Sequence, residues 1–396
     1  MNSETLMEQP IYMDNAATSW PKPEETLTAM ADYTRSVGAN PGRSGHSMSV
    51  NAGRVIFDTR VGVAELFGAT NPLQIIFTKN ATEALNIAIV GLLKPGDHVI
   101  TSGMEHNSVM RPLRAMEQRG VEVSVIPCSP LGELNPEDVD RAIRKTTRAI
   151  YLTHASNVTG TIMPISEIGK IARGKEIIFC VDAAQTAGVI PINVEEMSID
   201  LLAFTGHKSL FGPQGTGGLY IRKGLEDEIS PLTMGGTGSR SESQDHPDFL
   251  PDKFEAGTSN SIGIAGLGAG IRFIQRTGIE VIRKKEQELT TLLIDGIAPI
   301  PGVTLYGCLD AERQTAVLSF TIKGMSPAEA ALSLDEDFDI MSRPGLQCAP
   351  AAHQTMGTFP EGTVRLSPGY FLEKEAIEKC ILAVETLAKK GKEAHS

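Results

Sequence analysis

Lys208 stands in Ala203-Phe204-Thr205-Gly206-His207-Lys208-Ser209-Leu210-Phe211-Gly212-Pro213, where an apolar run meets a turn rich in Gly and Pro. A lone lysine delivered by a strand end into such a loop is poorly explained as a solvated charge. It is well explained as an amine that reaches a bound carbonyl compound and forms an imine with it. Upstream, Phe179-Cys180-Val181-Asp182-Ala183-Ala184-Gln185 is a second apolar run that ends in a carboxylate and an amide. An acid at one strand end and an amine at another suit pyridoxal 5'-phosphate (PLP), the amine for its aldehyde and the acid for its pyridinium nitrogen.

Other segments could complete such a site. Asn80-Ala81-Thr82-Glu83 follows a strand-like run and opens a helix, so its free amides and the Thr82 hydroxyl can hold a phosphate. The alternative is an ordinary Asn or Thr cap. His106 follows the run His98–Ser102 and could stack on a planar ring and exchange protons, or be a surface loop histidine. Asn157, in Ser156-Asn157-Val158-Thr159-Gly160, could bind a cofactor hydroxyl or a substrate carboxylate, or form an Asx turn. Arg365 projects from the apolar Thr363–Ser367 and needs an anion: a bidentate carboxylate, or an internal ion pair. Cys348 lies in the loop-like Ser342–Pro350 close to Arg343, the setting of a reactive thiol. Cys180 and Cys380 fall on apolar stripes and are expected in the core, while Cys128 and Cys308 sit near turns without supporting residues.

These residues need a scaffold. Between about 75 and 222, short β-rich runs (75–78, 98–102, 121–126, 149–155, 177–181, 201–205, 218–221) alternate with helical segments. That alternation predicts an α/β fold with a mainly parallel sheet covered on both faces, and ligands beyond the carboxyl ends of its strands. After Gly278 a charged helix leads to Pro299-Ile300-Pro301-Gly302, the clearest boundary signal, and the rest reads as α+β. The expected organisation is a segment 1–13 packing with a small domain, a large domain 14–278, and a small domain 279–396 carrying Cys348 and Arg365.

The 396 residues allow two domains. A net charge of −12 argues against a nucleic-acid binder, which needs concentrated Lys and Arg. No apolar run approaches the roughly 20 residues of a membrane span. The polar start lacks the pattern of a secretory signal, and five cysteines without paired spacing favour reduced thiols, so a cytoplasmic location is expected. No metal-ligand motif is read.

With these residues in view, the chain resembles the class-V aminotransferases of fold-type I, and within them the cysteine desulfurases and selenocysteine lyases. Tyr12-Met13-Asp14-Asn15-Ala16-Ala17-Thr18, Gly206-His207-Lys208 with its Gly-Pro turn, and Phe254-Glu255-Ala256-Gly257-Thr258 carry the resemblance over almost the whole length. It implies a large domain with a seven-stranded sheet, PLP on Lys208, and Asp182 and Gln185 on the ring nitrogen and phenolic oxygen. It also implies His106 stacked on the ring. Ala81, Thr82, Thr205 and His207 would hold the phosphate, with Thr258 reaching in from the second subunit of a homodimer. Asn15, Arg43, His46, Asn157, Arg343 and Arg365 would bind substrate, and Cys348 would form a persulfide for a protein sulfur acceptor.

Two departures stand out. Leu346-Gln347 occupy the place where sulfur-mobilising relatives often have two histidines, and Asn40–His46 looks like a variant substrate loop. The expected reaction is L-cysteine to L-alanine. The alternatives are selenium release from L-selenocysteine and, further off, an aminotransferase or epimerase, which would leave Cys348 without a role.

Overall fold

A computed structural model describes residues 10–42 and 44–393. The chain opens with β1 (Ile11–Tyr12), α1 (Glu24–Asp32) and α2 (Ser47–Leu66). Strands and helices then alternate: β2 (Ile75–Thr78), α3 (Ala81–Val90), β3 (His98–Ser102), α4 (Asn107–Glu117), β4 (Glu122–Ile126) and α5 (Pro136–Ala142). They continue with β5 (Thr147–Thr153), α6 (Ile165–Gly174), β6 (Ile178–Asp182), β7 (Leu201–Thr205) and β8 (Gly217–Ile221). Two long helices, α7 (Ser261–Thr277) and α8 (Ile279–Ile297), lead to β9 (Val303–Tyr306), β10 (Leu318–Ile322) and α9 (Pro327–Phe338). β11 (Ile340–Met341), β12 (Arg343–Gly345), α10 (Pro350–Met356), β13 (Thr363–Leu366) and α11 (Lys374–Glu393) complete it.

The large sheet has seven strands in the order β2-β8-β7-β6-β5-β3-β4. Strands β7, β6, β5, β3 and β4 run parallel, and β8 alone is reversed, antiparallel to β2 on one side and β7 on the other. Alternation along the strands explains why both faces are covered. Phe179, Val181, Leu202 and Phe204 point to the face packed by α2, α6 and α7. Ile178, Cys180, Leu201 and Ala203 point to the face packed by α3 and α4. Each such aliphatic or aromatic side chain contributes roughly 2 kcal/mol by leaving water.

A third core joins Leu289, Leu293 and Ile297 of α8 to Leu318 and Phe320 of β10, Leu366 of β13 and Val384 of α11. There the antiparallel sheet runs β12-β13-β10-β9. Met13 belongs to this core, and β1 pairs in parallel with β11. Just before β10, Gln314 bridges to Thr161, and the strand itself begins at Leu318.

Two glycines matter for the site. A Cβ on Gly206 would lie 2.2 Å from Thr216 Oγ1, and one on Gly217 would lie 2.7 Å from Asn80 Cα. Only glycine lets β7 turn toward Lys208 and β8 pass the turn that opens α3.

Candidate active site

Six strands of the large sheet point their carboxyl ends to one edge, and the sequence motifs converge there. One cavity of about 280 Å³ is lined by Ala81, Thr82, His106, Asp182, Gln185, Thr205, His207 and Lys208, and also by Asn157, Arg343, Cys348 and Arg365. Asp182 is the last residue of β6, and Lys208 lies three residues beyond the end of β7. Ala81 and Thr82 begin α3, where Asn80 Oδ1 accepts from Glu83 N at 2.9 Å. Because that cap satisfies the Glu83 amide, the amides of Ala81 and Thr82 remain for an anion.

The charges here are governed by burial. Lys208 is brought down to about 8 by burial, with Asp182 acting in the opposite sense. Burial raises Asp182 above its ordinary range, partly offset by the Ala184 N–H that donates to Oδ1 at 2.9 Å and by Lys208. Burial, then the charge of Lys208, lowers both His106 and His207 to about 4, so both rings are neutral near pH 7. His106 Nδ1 accepts from Ser108 N at 3.0 Å, which leaves the ring proton on Nε2. His207 Nδ1 is buried with no hydrogen-bond partner among the described residues. Such an atom is available to a hydrogen-bonding group that enters the cavity.

The opposite wall comes from distant parts of the chain. Cys348 is exposed, at φ +60°, and Arg343 Nη2 lies 3.7 Å from its Sγ. The residue before it, Gln347, is also left-handed at φ +42° yet almost fully buried. Its Nε2 donates to Thr363 O at 3.0 Å and Arg343 O at 3.2 Å, and its Oε1 lies 2.8 Å from His353 Nε2. Its carbonyl accepts from Asn157 Nδ2 at 2.7 Å, and the carbonyl of Cys348 accepts from Asn107 N at 2.9 Å. The glutamine at the departure noted in the sequence therefore anchors the cysteine loop on both sides.

Several expected roles are modified by these contacts. Arg365 is 1 % exposed and already carries an internal ion pair: Nη2 donates to Asp14 Oδ1 at 2.6 Å, and Nη1 donates to Asn157 O at 3.0 Å. Its Nε is buried without a partner among the described residues, and any anion bound here would share this arginine with Asp14. Asn157 lines the cavity, but its amide N–H₂ is engaged by Gln347. Asn15 does not line it: Nδ2 donates to Tyr12 O and Ser367 O, and Oδ1 accepts from Trp20 N. His46 is an exposed cap of α2, accepting from Ser49 N at 3.2 Å. Thr258 lines a different cavity, with Lys79 and Glu83. Arg43 lies outside the described residues.

Other residues at the site carried no assignment. Ser108 Oγ is 2.8 Å from both Thr82 Oγ1 and His106 Nδ1, joining the helix start to the histidine; its place two residues after a helix-capping His106 was the available signal. Glu105 is fully buried and accepts from Ser102 Oγ at 2.5 Å and from Thr153 N. Burial pushes its carboxyl up to about 8, and Asp182 adds to the rise. Nothing in a loop of mixed residues signals that burial. Thr18, Ser19 and Lys22 bond the carbonyls of His207 and Lys208, a contact between segments far apart in sequence.

Comparison with known proteins agrees with the geometry. Residues 11–380 match the family model for aminotransferase class V. The chain is 37 % identical over 391 residues to a probable cysteine desulfurase of Methanothermobacter thermautotrophicus, covering 98 % of this chain and 96 % of that one. The structure of an apo cysteine desulfurase from Thermococcus onnurineus NA1 superposes with a TM-score of 0.91 at 35 % identity, covering 96 % and 95 % of the two chains. That of the cysteine desulfurase CsdA from Escherichia coli, in an S-sulfonic acid form, gives 0.84 at 27 % identity, with the same coverage.

Proposed function

The chain belongs to the class-V aminotransferase family, and from that premise we propose that it is a PLP-dependent cysteine desulfurase, converting L-cysteine to L-alanine with the sulfur carried as a persulfide on Cys348. One observation carries the reading: Cys348, from the C-terminal part of the chain, opens into the same cavity as Lys208 and Asp182. An aminotransferase or epimerase has no use for that thiol.

The residues present fit PLP. A buried carboxylate raised by its own burial calls for the proton of a ring nitrogen. The unpartnered Nδ1 of His207 and the free amides at the start of α3 suit a phosphate. Bound there, PLP supplies an aldehyde and an electron-poor ring that draws charge from the substrate's α-carbon. Asp182 would hold the ring-nitrogen proton, Gln185 the phenolic oxygen and His106 the ring. Ala81, Thr82, Thr205 and His207 would take the phosphate.

Arg365, with Arg343 beside it, receives the substrate carboxylate and fixes its orientation. Lys208, with its amine at about 8, is poised to take the α-proton at Nζ and to return one. The sulfur of Cys348 bonds to the substrate sulfur as the carbon–sulfur bond breaks. The electron pair of the broken bond stays with carbon, which is protonated and leaves in L-alanine.

Thr258 and His46 lie away from the cavity of their own chain, so a role at the cofactor phosphate or substrate requires a second copy; we place both in a homodimer. The acceptor of the persulfide sulfur is a second protein. Five free cysteines support a reducing, cytoplasmic setting. No helix among the described residues is long and apolar enough to cross a membrane.

Alanine formation from L-cysteine and from L-selenocysteine, by wild type and Cys348→Ala at matched PLP content and without added thiol, tests the proposal. The expected result is loss of cysteine turnover in the variant, with a persulfide detected by mass on wild-type Cys348. Near-normal alanine production from cysteine by the variant overturns it. Selenocysteine turnover retained by the variant, with a wild type that barely uses cysteine, assigns the selenium reaction instead.

A further inference from the structure

The peptide that carries Lys208 is held from outside the large sheet. Ser19 N and Thr18 Oγ1 both donate to the carbonyl oxygen of His207 at 3.0 Å. Lys22 Nζ donates to the same oxygen at 2.7 Å and to Ser19 Oγ at 2.7 Å. Ser19 Oγ in turn donates to the carbonyl oxygen of Lys208 at 2.7 Å. Ser19 is buried and Lys22 half-buried. Burial brings the Lys22 amine down to about 8, so it remains largely an ammonium near neutrality.

We propose that Lys22 is a positioning residue for Lys208: through the His207 carbonyl directly, and through Ser19 to the Lys208 carbonyl, it fixes the peptide from which the reacting amine rises. This rests on the PLP-dependent reading of the site. Three physical points support it. The Lys22 contacts are charge-assisted, about twice as strong as neutral ones. They form a chain, Lys22 to Ser19 to the Lys208 carbonyl, in which each bond polarises the next. They also converge on the two peptide oxygens that flank Cα of Lys208, so they constrain its backbone rather than its side-chain tip. Lys22 is not among the residues lining the cavity of Lys208; it acts on the amine through the amine's own backbone.

A buried lysine could instead be simple mortar between two segments, and the test is chosen to separate the two roles. Lys22→Met, Lys22→Arg and Ser19→Ala are compared with wild type as PLP-loaded protein. The readouts are kcat and KM for L-cysteine, PLP content, and visible circular dichroism of the bound cofactor per mole of PLP. A positioning role predicts that Lys22→Met lowers kcat about tenfold, as expected for a small misplacement of a reacting group. KM and PLP content change less than about twofold, and the circular dichroism falls. Lys22→Arg restores most of both, and Ser19→Ala shows the same pattern at smaller size.

Unchanged kcat and dichroism in Lys22→Met overturn the proposal. So does a kcat loss that merely follows lost PLP. If Lys22→Met does not fold, Ser19→Ala decides by the same criteria. The dichroism reads the clasp even where the wild type makes no alanine from cysteine, so failure of the desulfurase reading and failure of the clasp are told apart.

Discussion

The two walls of the cavity are built by different rules. On the cofactor wall, Asp182, Lys208, Ala81 and Thr82 sit at or just beyond the carboxyl ends of β6, β7 and β2, each placed by the element that precedes it. On the substrate wall, Arg365 is held by Asp14, a contact spanning 351 residues of sequence, and the carbonyl before Cys348 is held by Asn157 across 190. The first wall is therefore set mainly by the sheet itself, with the clasp of Thr18, Ser19 and Lys22 on the Lys208 peptide as its one long-range tie described above. The second depends on how the C-terminal sheet docks. The difference teaches where substitutions should damage chemistry alone and where they should damage chemistry and fold together.

The sharpest contrast is Lys208→Ala. It should abolish alanine formation, by roughly a thousandfold or more, while thermal unfolding shows a fold at least as stable. A buried amine lost without a hole in the core carries little structural cost. An unfolding temperature well below wild type would break the comparison from the cofactor side.

Gln347→Ala addresses the other wall. It removes three side-chain hydrogen bonds from a buried site, and at about 1 kcal/mol each the loss is roughly 2–3 kcal/mol. Sulfur transfer to Cys348 should fall with it while PLP content stays unchanged, measured by chemical denaturation and persulfide mass. Full stability with normal transfer would show that the cysteine loop does not need its anchor.

A further test probes the cofactor wall from behind, through its dependence on pH. Glu105 has its folded value raised from 4.5 to about 8, mainly by burial, so the protonated form is the one that folding favours. That contribution is complete below about 4.5 and is lost as pH rises toward 8, on the order of 5 kcal/mol across the window. In Glu105→Gln, which cannot ionise, unfolding free energy should decline less steeply between those pH values. Equal slopes would remove burial of this carboxyl as their cause.

The same division explains what could be read from the chain before its structure. Lys208, Asp182 and Thr82 were legible because a parallel sheet delivers strand ends to one edge, and strand ends are visible as apolar runs that stop. Cys348 stood out because Pro and Gly mark its loop. The partner of Arg365 was not legible, since an ion pair between residues at opposite ends of the chain leaves no periodic trace. Gln347 looked like a mere absence of histidine, and only the packing of β12, β13 and α10 shows it to be a brace. Glu105 and Lys22 are charged residues in polar stretches, and their burial is a tertiary fact.

The reversed strand β8 has a consequence for synthesis. β2, which delivers the chain into the amide-rich start of α3, has β8 as its only neighbour in the large sheet, and β8 is the last of the seven strands to leave the ribosome. Until then β2 has no ladder to join, because the strand it pairs with has not been made. A nascent chain that stops short of Gly217 therefore lacks the ladder that fixes the start of α3, and on the proposed reading cofactor capture waits for an essentially finished sheet.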